Sequence, residues 1–164
     1  NAQVNQTIRI GSSPLLIAAH HGHMNVVSIL LAHKAAVNQA KIDRVFPLFV
    51  AAQEGHADIV RVLLEHRAHV NQTRSDGASS LYMASQLGHV NLCQILLDHH
   101  ALVNQATLEG VSPLFIATSK GHEDTSVQNS TQTYRQSVVV GIVGMWHLNI
   151  YFTCNSYRSF ELFQ

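Results

Sequence analysis

Three imidazoles fall within four positions at His20, His21 and His23, in the stretch AAHHGHMNVV. The chain carries 12 histidines in 164 residues, more than its 10 lysines and arginines or its 10 aspartates and glutamates. Side chains of this type ligate zinc, nickel or copper and move protons near neutral pH. Hydrolysis needs more than imidazole, and the chain has neither a nucleophile elbow nor a phosphate-cradling glycine loop. The two cysteines, Cys93 and Cys154, make no metal-ligand spacing and no disulfide framework. They fit a reducing compartment.

The elements that carry these histidines decide between the chemistries. Length suits one domain with a buried core. Hydrophobic residues make up 46% and charged residues 12%, about half the usual ~25%. With a net charge of zero, nothing pulls the whole chain toward nucleic acid or an anionic membrane. The opening NAQVNQ has no secretory-signal pattern and no initiator methionine, which leads us to expect a fragment or a processed product.

A period of 33 residues runs through the chain. Asn5, Asn38, Asn71 and Asn104 recur at that spacing, each inside VNQ. Gly22, Gly55, Gly88 and Gly121 keep step, each followed by histidine: His23, His56, His89 and His122. Leu15, Leu48, Leu81 and Leu114 repeat, as do Ala18, Ala51, Ala84 and Ala117. Within a unit, Ser13 can cap a helix that opens on Pro14. Leu15, Ala18 and Ala19 give that helix a small apolar face, and Gly22 turns the chain where positive φ is cheap. A second helix follows, with Val26, Val27, Leu30 and Leu31 at helical spacing. Ile59, Val60, Leu63 and Leu64 repeat the pattern, then Leu92, Cys93, Leu96 and Leu97. One unit cannot bury its apolar face alone, so units must stack.

The stretches SPLLIAAHHGHMNVVSILLAHKAAVN, FPLFVAAQEGHADIVRVLLEHRAHVN, SSLYMASQLGHVNLCQILLDHHALVN and SPLFIATSKGHEDTS resemble the ankyrin repeat family. The resemblance covers residues 1–124: a partial unit at 1–6, units at 7–39, 40–72 and 73–105, and a half unit at 106–124. It implies an all-α solenoid of helix-turn-helix pairs with β-turn fingers, a protein-binding role and no catalytic machinery. In the family the histidine after the glycine supports the turn by hydrogen bonding. Partners are read by the fingers and the exposed side of the first helices. Carried over, those positions are Arg9, Ile10, Ser12, His20 and His21 in unit one. Unit two gives Ile42, Asp43, Val45, Gln53 and Glu54. Unit three gives Ser75, Asp76, Ala78, Gln86 and Leu87, and unit four Leu108, Glu109, Val111, Ser119 and Lys120.

The chain departs from the family in four places. The fourth residue of the first-helix motif, usually histidine, is Leu16, Phe49, Tyr82 or Phe115, read as an inter-unit aromatic stack or as exposed anchors. The glycine expected after each second helix is Lys34, Arg67 or His100. A left-handed conformation there costs on the order of 1 kcal/mol each, offset in part by a cation at a helix C-terminus. Unit two starts at Phe46–Pro47 without a hydroxyl cap, and unit three has Ser79–Ser80 without the proline. Unit four loses its second-helix apolar pattern at Thr125, Ser126, Asn129 and Ser130. Residues 125–137 read as a polar linker. Residues 138–164 form an apolar tail of uncertain structure. Its run VVVGIVGMWHLNIYF is short for a membrane span and is expected to pack over the open end or stay outside the fold.

Histidine ladder rungs lie about one helix diameter apart, ~10 Å, whereas zinc needs its nitrogens at ~2 Å. Rungs therefore cannot share an ion, and no metal, cofactor or catalytic residue is assigned. The expectation is a non-enzymatic scaffold, intracellular and cytoplasmic, that binds a protein and neither nucleic acid nor membrane. It would be monomeric or part of a longer repeat chain. The alternative is a histidine-based metal-binding or hydrolytic protein.

Overall fold

A computed structural model describes residues 4–7 and 11–120 of the chain. The expected linker at 125–137 and tail at 138–164 lie outside the described residues, as do Arg9 and Ile10. Among the described residues seven helices follow in order: α1 Pro14–His20, α2 Met24–Ala32, α3 Pro47–Gln53, α4 Ala57–Glu65, α5 Ser80–Gln86, α6 Val90–Asp98 and α7 Pro113–Ser119. Among the described residues the β-type pairing is an isolated bridge between Thr73 and Ser79.

Local chemistry starts and stops the helices. Ser13 Oγ accepts the Leu16 N–H at 3.2 Å, and Ser79 and Ser112 do the same for Tyr82 and Phe115. Phe46 makes no side-chain cap bond, as its lack of a hydroxyl requires. Gly22, Gly55 and Gly88 follow the first helices with φ of 73°, 81° and 70°. Each second helix ends on a non-glycine residue in the left-handed region: Lys34 at 61°, Arg67 at 65° and His100 at 66°. The next N–H then closes back over the helix end, from Ala35 to the Leu30 carbonyl at 2.9 Å, with Ala68 and Ala101 repeating it.

Stacking builds one continuous core. The first helices pack in the order α1, α3, α5, α7, and the second helices α2, α4, α6 form a parallel row behind them. Ala18, Ala19, Ala51, Ala52 and Ala84 are buried, so first helices approach closely. Leu15, Leu48, Leu63, Leu92 and Leu96 fill the space between rows. One position departs from the expected pattern: Val26 on α2 is 46% exposed, whereas its repeat mates Ile59 and Leu92 are each 2% exposed. Those mates have a second helix before them in the stack, and among the described residues Val26 has none.

Candidate interaction surface

Three rows of side chains define the surface, and two of them are spent on the framework. On the connector row, Asn38 Oδ1 accepts the His69 N–H at 2.8 Å, and Asn38 Nδ2 donates to the Arg67 carbonyl at 3.3 Å. Asn71 makes the same pair with the Leu102 N–H and the His100 carbonyl. Asn5 accepts from the Ala36 N–H at 2.7 Å. Each of these asparagines thus ties its unit to the next one, and Asn38 and Asn71 also hold the carbonyl of the left-handed residue there. The glutamine beside it adds a bond in the opposite direction, Gln39 Nε2 to the Asn5 carbonyl and Gln105 Nε2 to the Asn71 carbonyl.

The histidine row makes hydrogen bonds that cross from one unit to the one before it. His56 Nε2 donates to the His20 carbonyl at 3.1 Å, and His89 Nε2 to the Gln53 carbonyl at 3.3 Å. These bonds run back to the preceding unit's first helix and are not confined to the residue's own turn. They also explain part of the glycine requirement. A Cβ on Gly22 would lie 2.7 Å from His56 Cε1, on top of its positive φ. His23, the first rung, instead has its ring 5.9 Å from that of His21.

The third row is the fingers and first-helix ends. The fingers of units two to four are tight hairpins, closed by Lys41 N to Val45 O, Arg74 N to Ala78 O and Thr107 N to Val111 O. Fingers join side by side: Ser75 N donates to the Asp43 carbonyl at 3.3 Å and Leu108 N to the Asp76 carbonyl at 2.9 Å. Ile42, Ser75 and Leu108 stand exposed at the tips, next to Asp43, Asp76 and Glu109. The fifth finger position turns inward. Ser12 and Ala78 are buried and Val45 and Val111 half-buried, so Ser12 and Ala78 present no contact surface. At the first-helix ends, His20, His21, Glu54, Leu87, Ser119 and Lys120 are exposed, and Gln53 and Gln86 half-buried. His20 Nδ1 lies 3.5 Å from Glu54 Oε1, a contact that joins the strip across units one and two and becomes an ion pair when the imidazole is protonated.

Two residues escaped the sequence reading. Arg74 forms a two-point hydrogen bond with Asp76 and sets its guanidinium 5.3 Å from the Phe49 ring centroid, a cation–π contact between units. That hydrogen bond holds the Asp76 carboxyl below its ordinary range, despite some burial. Arg44 adopts φ of 56° in a column otherwise held by Gly11, Gly77 and Gly110. The repeat itself was the available signal, since arginine breaks a glycine column there. The Phe49 ring packs edge-on against Phe46, at 5.8 Å between centroids. Phe49 is 1% exposed and Phe115, at the last described helix, 49%.

Among the described residues no group of three or more His, Cys, Asp or Glu converges as a metal site. Cys93 is half-buried, and burial pushes its thiol pKa up, away from the reactive thiolate. No helix among the described residues is long and apolar enough to cross a membrane. A family model described as ankyrin repeats (3 copies) matches residues 1–74 and 69–126. No curated protein matches the chain.

Proposed function

Since the chain belongs to the ankyrin repeat family, we propose that it is a non-enzymatic scaffold whose finger tips and exposed first-helix ends, on the concave side, bind a protein partner. Ankyrin repeats are in general protein–protein interaction modules. One observation supports this surface above others. The backbone carbonyls of His20 and Gln53 are taken by the framework histidines of the next unit. The side chains beside them change from unit to unit, from His20–His21 to Gln53–Glu54, Gln86–Leu87 and Ser119–Lys120. Their identities are not dictated by the repeat. The mixture of imidazole, amide, carboxylate and leucine suits a partner that is partly polar and partly apolar. The reading assigns no reaction and no cofactor, and it places the protein in a reducing cytoplasm.

The test is partner capture with cross-linking, comparing the native chain with His21→Glu/Leu87→Glu and with Arg61→Glu on α4. Loss of capture in the first variant alone, at an unchanged melting temperature, is the expected result. Equal capture by all three chains contradicts the assignment of the surface. A metal arm addresses the alternative. If His20→Ala/His21→Ala retained the partner but lost a tightly bound stoichiometric metal, the binding-module reading of that pair would fail.

A further inference from the structure

The ends of the second helices carry an edge that shares no residue with the finger strip. His33, His66 and His99 are the C-cap residues of α2, α4 and α6, and all three are exposed. The next residue in each unit is Lys34, Arg67 or His100, exposed and held in the left-handed region. Asn38 and Asn71 bond the Arg67 and His100 carbonyls, which fixes each of these turns against the connector before it. Pairs of cationic or protonatable side chains therefore stand in register, one pair per rung, with rungs ~10 Å apart. At the middle rung an open groove is lined by Arg67, Ala68, His69, Val70, Asn71 and Gln72.

The charge of this edge follows pH. Lys34 and Arg67 are permanent cations, and the carboxylates nearest in sequence are Glu65 and Asp98, the last residues of α4 and α6. α2 contributes no Asp, Glu, Lys or Arg, and α4 adds Asp58 and Arg61, of opposite sign. The connectors AAVNQA, AHVNQT and ALVNQA add His69 and no carboxylate. Near neutral pH the two signs balance. Imidazoles take up protons as pH falls below about 6.5, and the edge then becomes cationic along its length. His66 is already oriented for this. Its Nδ1–H donates to the Val62 carbonyl at 2.8 Å, so an added proton goes to Nε2, which changes from acceptor to charged donor. The ion pairs among the described residues, His20–Glu54, Lys41–Asp43 and Arg74–Asp76, involve none of these side chains.

We infer that this edge binds an extended acidic segment of a protein, with a carboxylate at every third residue, and binds it more tightly as pH falls. An extended chain advances ~3.3 Å per residue, so three residues match one rung. Asp and Glu in such a segment stay ionised at about pH 5.8, where the imidazoles are protonated. The helix ends and connectors of this edge hold no Phe, Tyr or Trp on which a base could stack, so an acidic polypeptide suits it better than nucleic acid.

Fluorescence anisotropy with the full chain tests this, using a labelled peptide of four Asp-Gly-Ser repeats as probe. Its Kd should fall about tenfold or more between about pH 7.5 and about pH 5.8 at fixed salt. A peptide of the same composition with its aspartates consecutive should bind several-fold more weakly. Lys34→Gln/Arg67→Gln should weaken binding about tenfold, whereas Lys41→Gln/Arg44→Gln, which removes the same charge from a finger, should leave it unchanged. Lys34→Arg/Arg67→Lys keeps the charge and should bind as the native chain does, which separates charge from folding. His66→Gln/His100→Gln should flatten the pH dependence. No binding of the spaced peptide at about pH 5.8 overturns the proposal, as does equal loss in the two charge-matched variants. Equal affinity for the two peptides overturns the spacing. A thymidine oligonucleotide or a phosphatidylserine vesicle that binds more tightly than the spaced peptide overturns the assignment to a protein segment.

Discussion

The connector row and the first-helix ends obey the same period but carry opposite information. At the connectors, Asn5, Asn38 and Asn71 are identical, and each caps the following unit's chain. At the first-helix ends, each unit brings different side chains, while the adjacent backbone is held by His56 and His89. Repetition here marks bonds across unit boundaries. Its absence marks side chains that the array does not require. The histidine cluster divides along this line: His23 belongs to the repeated column, and His20 and His21 to the varied one.

The largest effect is expected where a varied tip sits on a fixed base. A Cβ on Gly77, at φ of 85°, would lie 2.9 Å from the Leu108 backbone nitrogen, while Gly110 has nothing within 4 Å. Gly77→Ala should cost roughly 2–4 kcal/mol, strain and overpacking together. Gly110→Ala should cost about 1 kcal/mol, for the left-handed conformation alone. Urea midpoints of the two chains check the difference, and equal losses would mean that finger contact is not the cause.

Asn38→Ala should rank next, at about 1–2 kcal/mol, because the His69 N–H and the Arg67 carbonyl both lose a partner. Glu54→Ala in the varied strip should stay within ~0.5 kcal/mol. Two substitutions should stabilise. Ser80 is buried with its hydroxyl unpartnered, at the position held by Pro14 and Pro47 in units one and two. Thermal unfolding of Ser80→Pro should therefore show a gain of about 1 kcal/mol. Arg67→Gly should give a similar gain of about 1 kcal/mol by removing left-handed strain.

Asp76 should give the smallest effect. Its folded pKa is depressed, chiefly by the Arg74 hydrogen bond. The associated stability is fully present above the unfolded carboxylate value of about 4 and is lost as pH falls through the folded value. The pair is partly exposed, so the contribution is modest. Comparing Asp76→Asn with the native chain across this acid range should show a small deficit near neutrality that closes at low pH. A deficit that grew on acidification would contradict the pairing.

Much of this architecture is legible in the sequence. Recurrence points to the helix pairs and the cap at Ser13, and the family resemblance implies the left-handed sites at Lys34, Arg67 and His100. What recurrence cannot show is the direction of a bond. Asn38 reaches forward to His69, and His56 reaches back to His20, because both partners lie one unit away in space and far away in sequence. Burial depends on neighbours in the same way. Val26 fits the apolar pattern of Ile59, yet it is exposed, with no helix pair in front of it among the described residues. Position in the repeat groups Ser12 and Ala78 with the fingers, but both side chains are buried.

The division between repeated and varied residues is tested most directly by one urea-unfolding comparison. It sets Asn38→Ala against the combined variant His21→Ser/Glu54→Ser/Leu87→Ser. The account predicts a clearly lower midpoint for Asn38→Ala and a native-like midpoint for the triple variant. A triple variant that unfolds as early as Asn38→Ala would show that the varied strip also holds the array together, and would contradict the account.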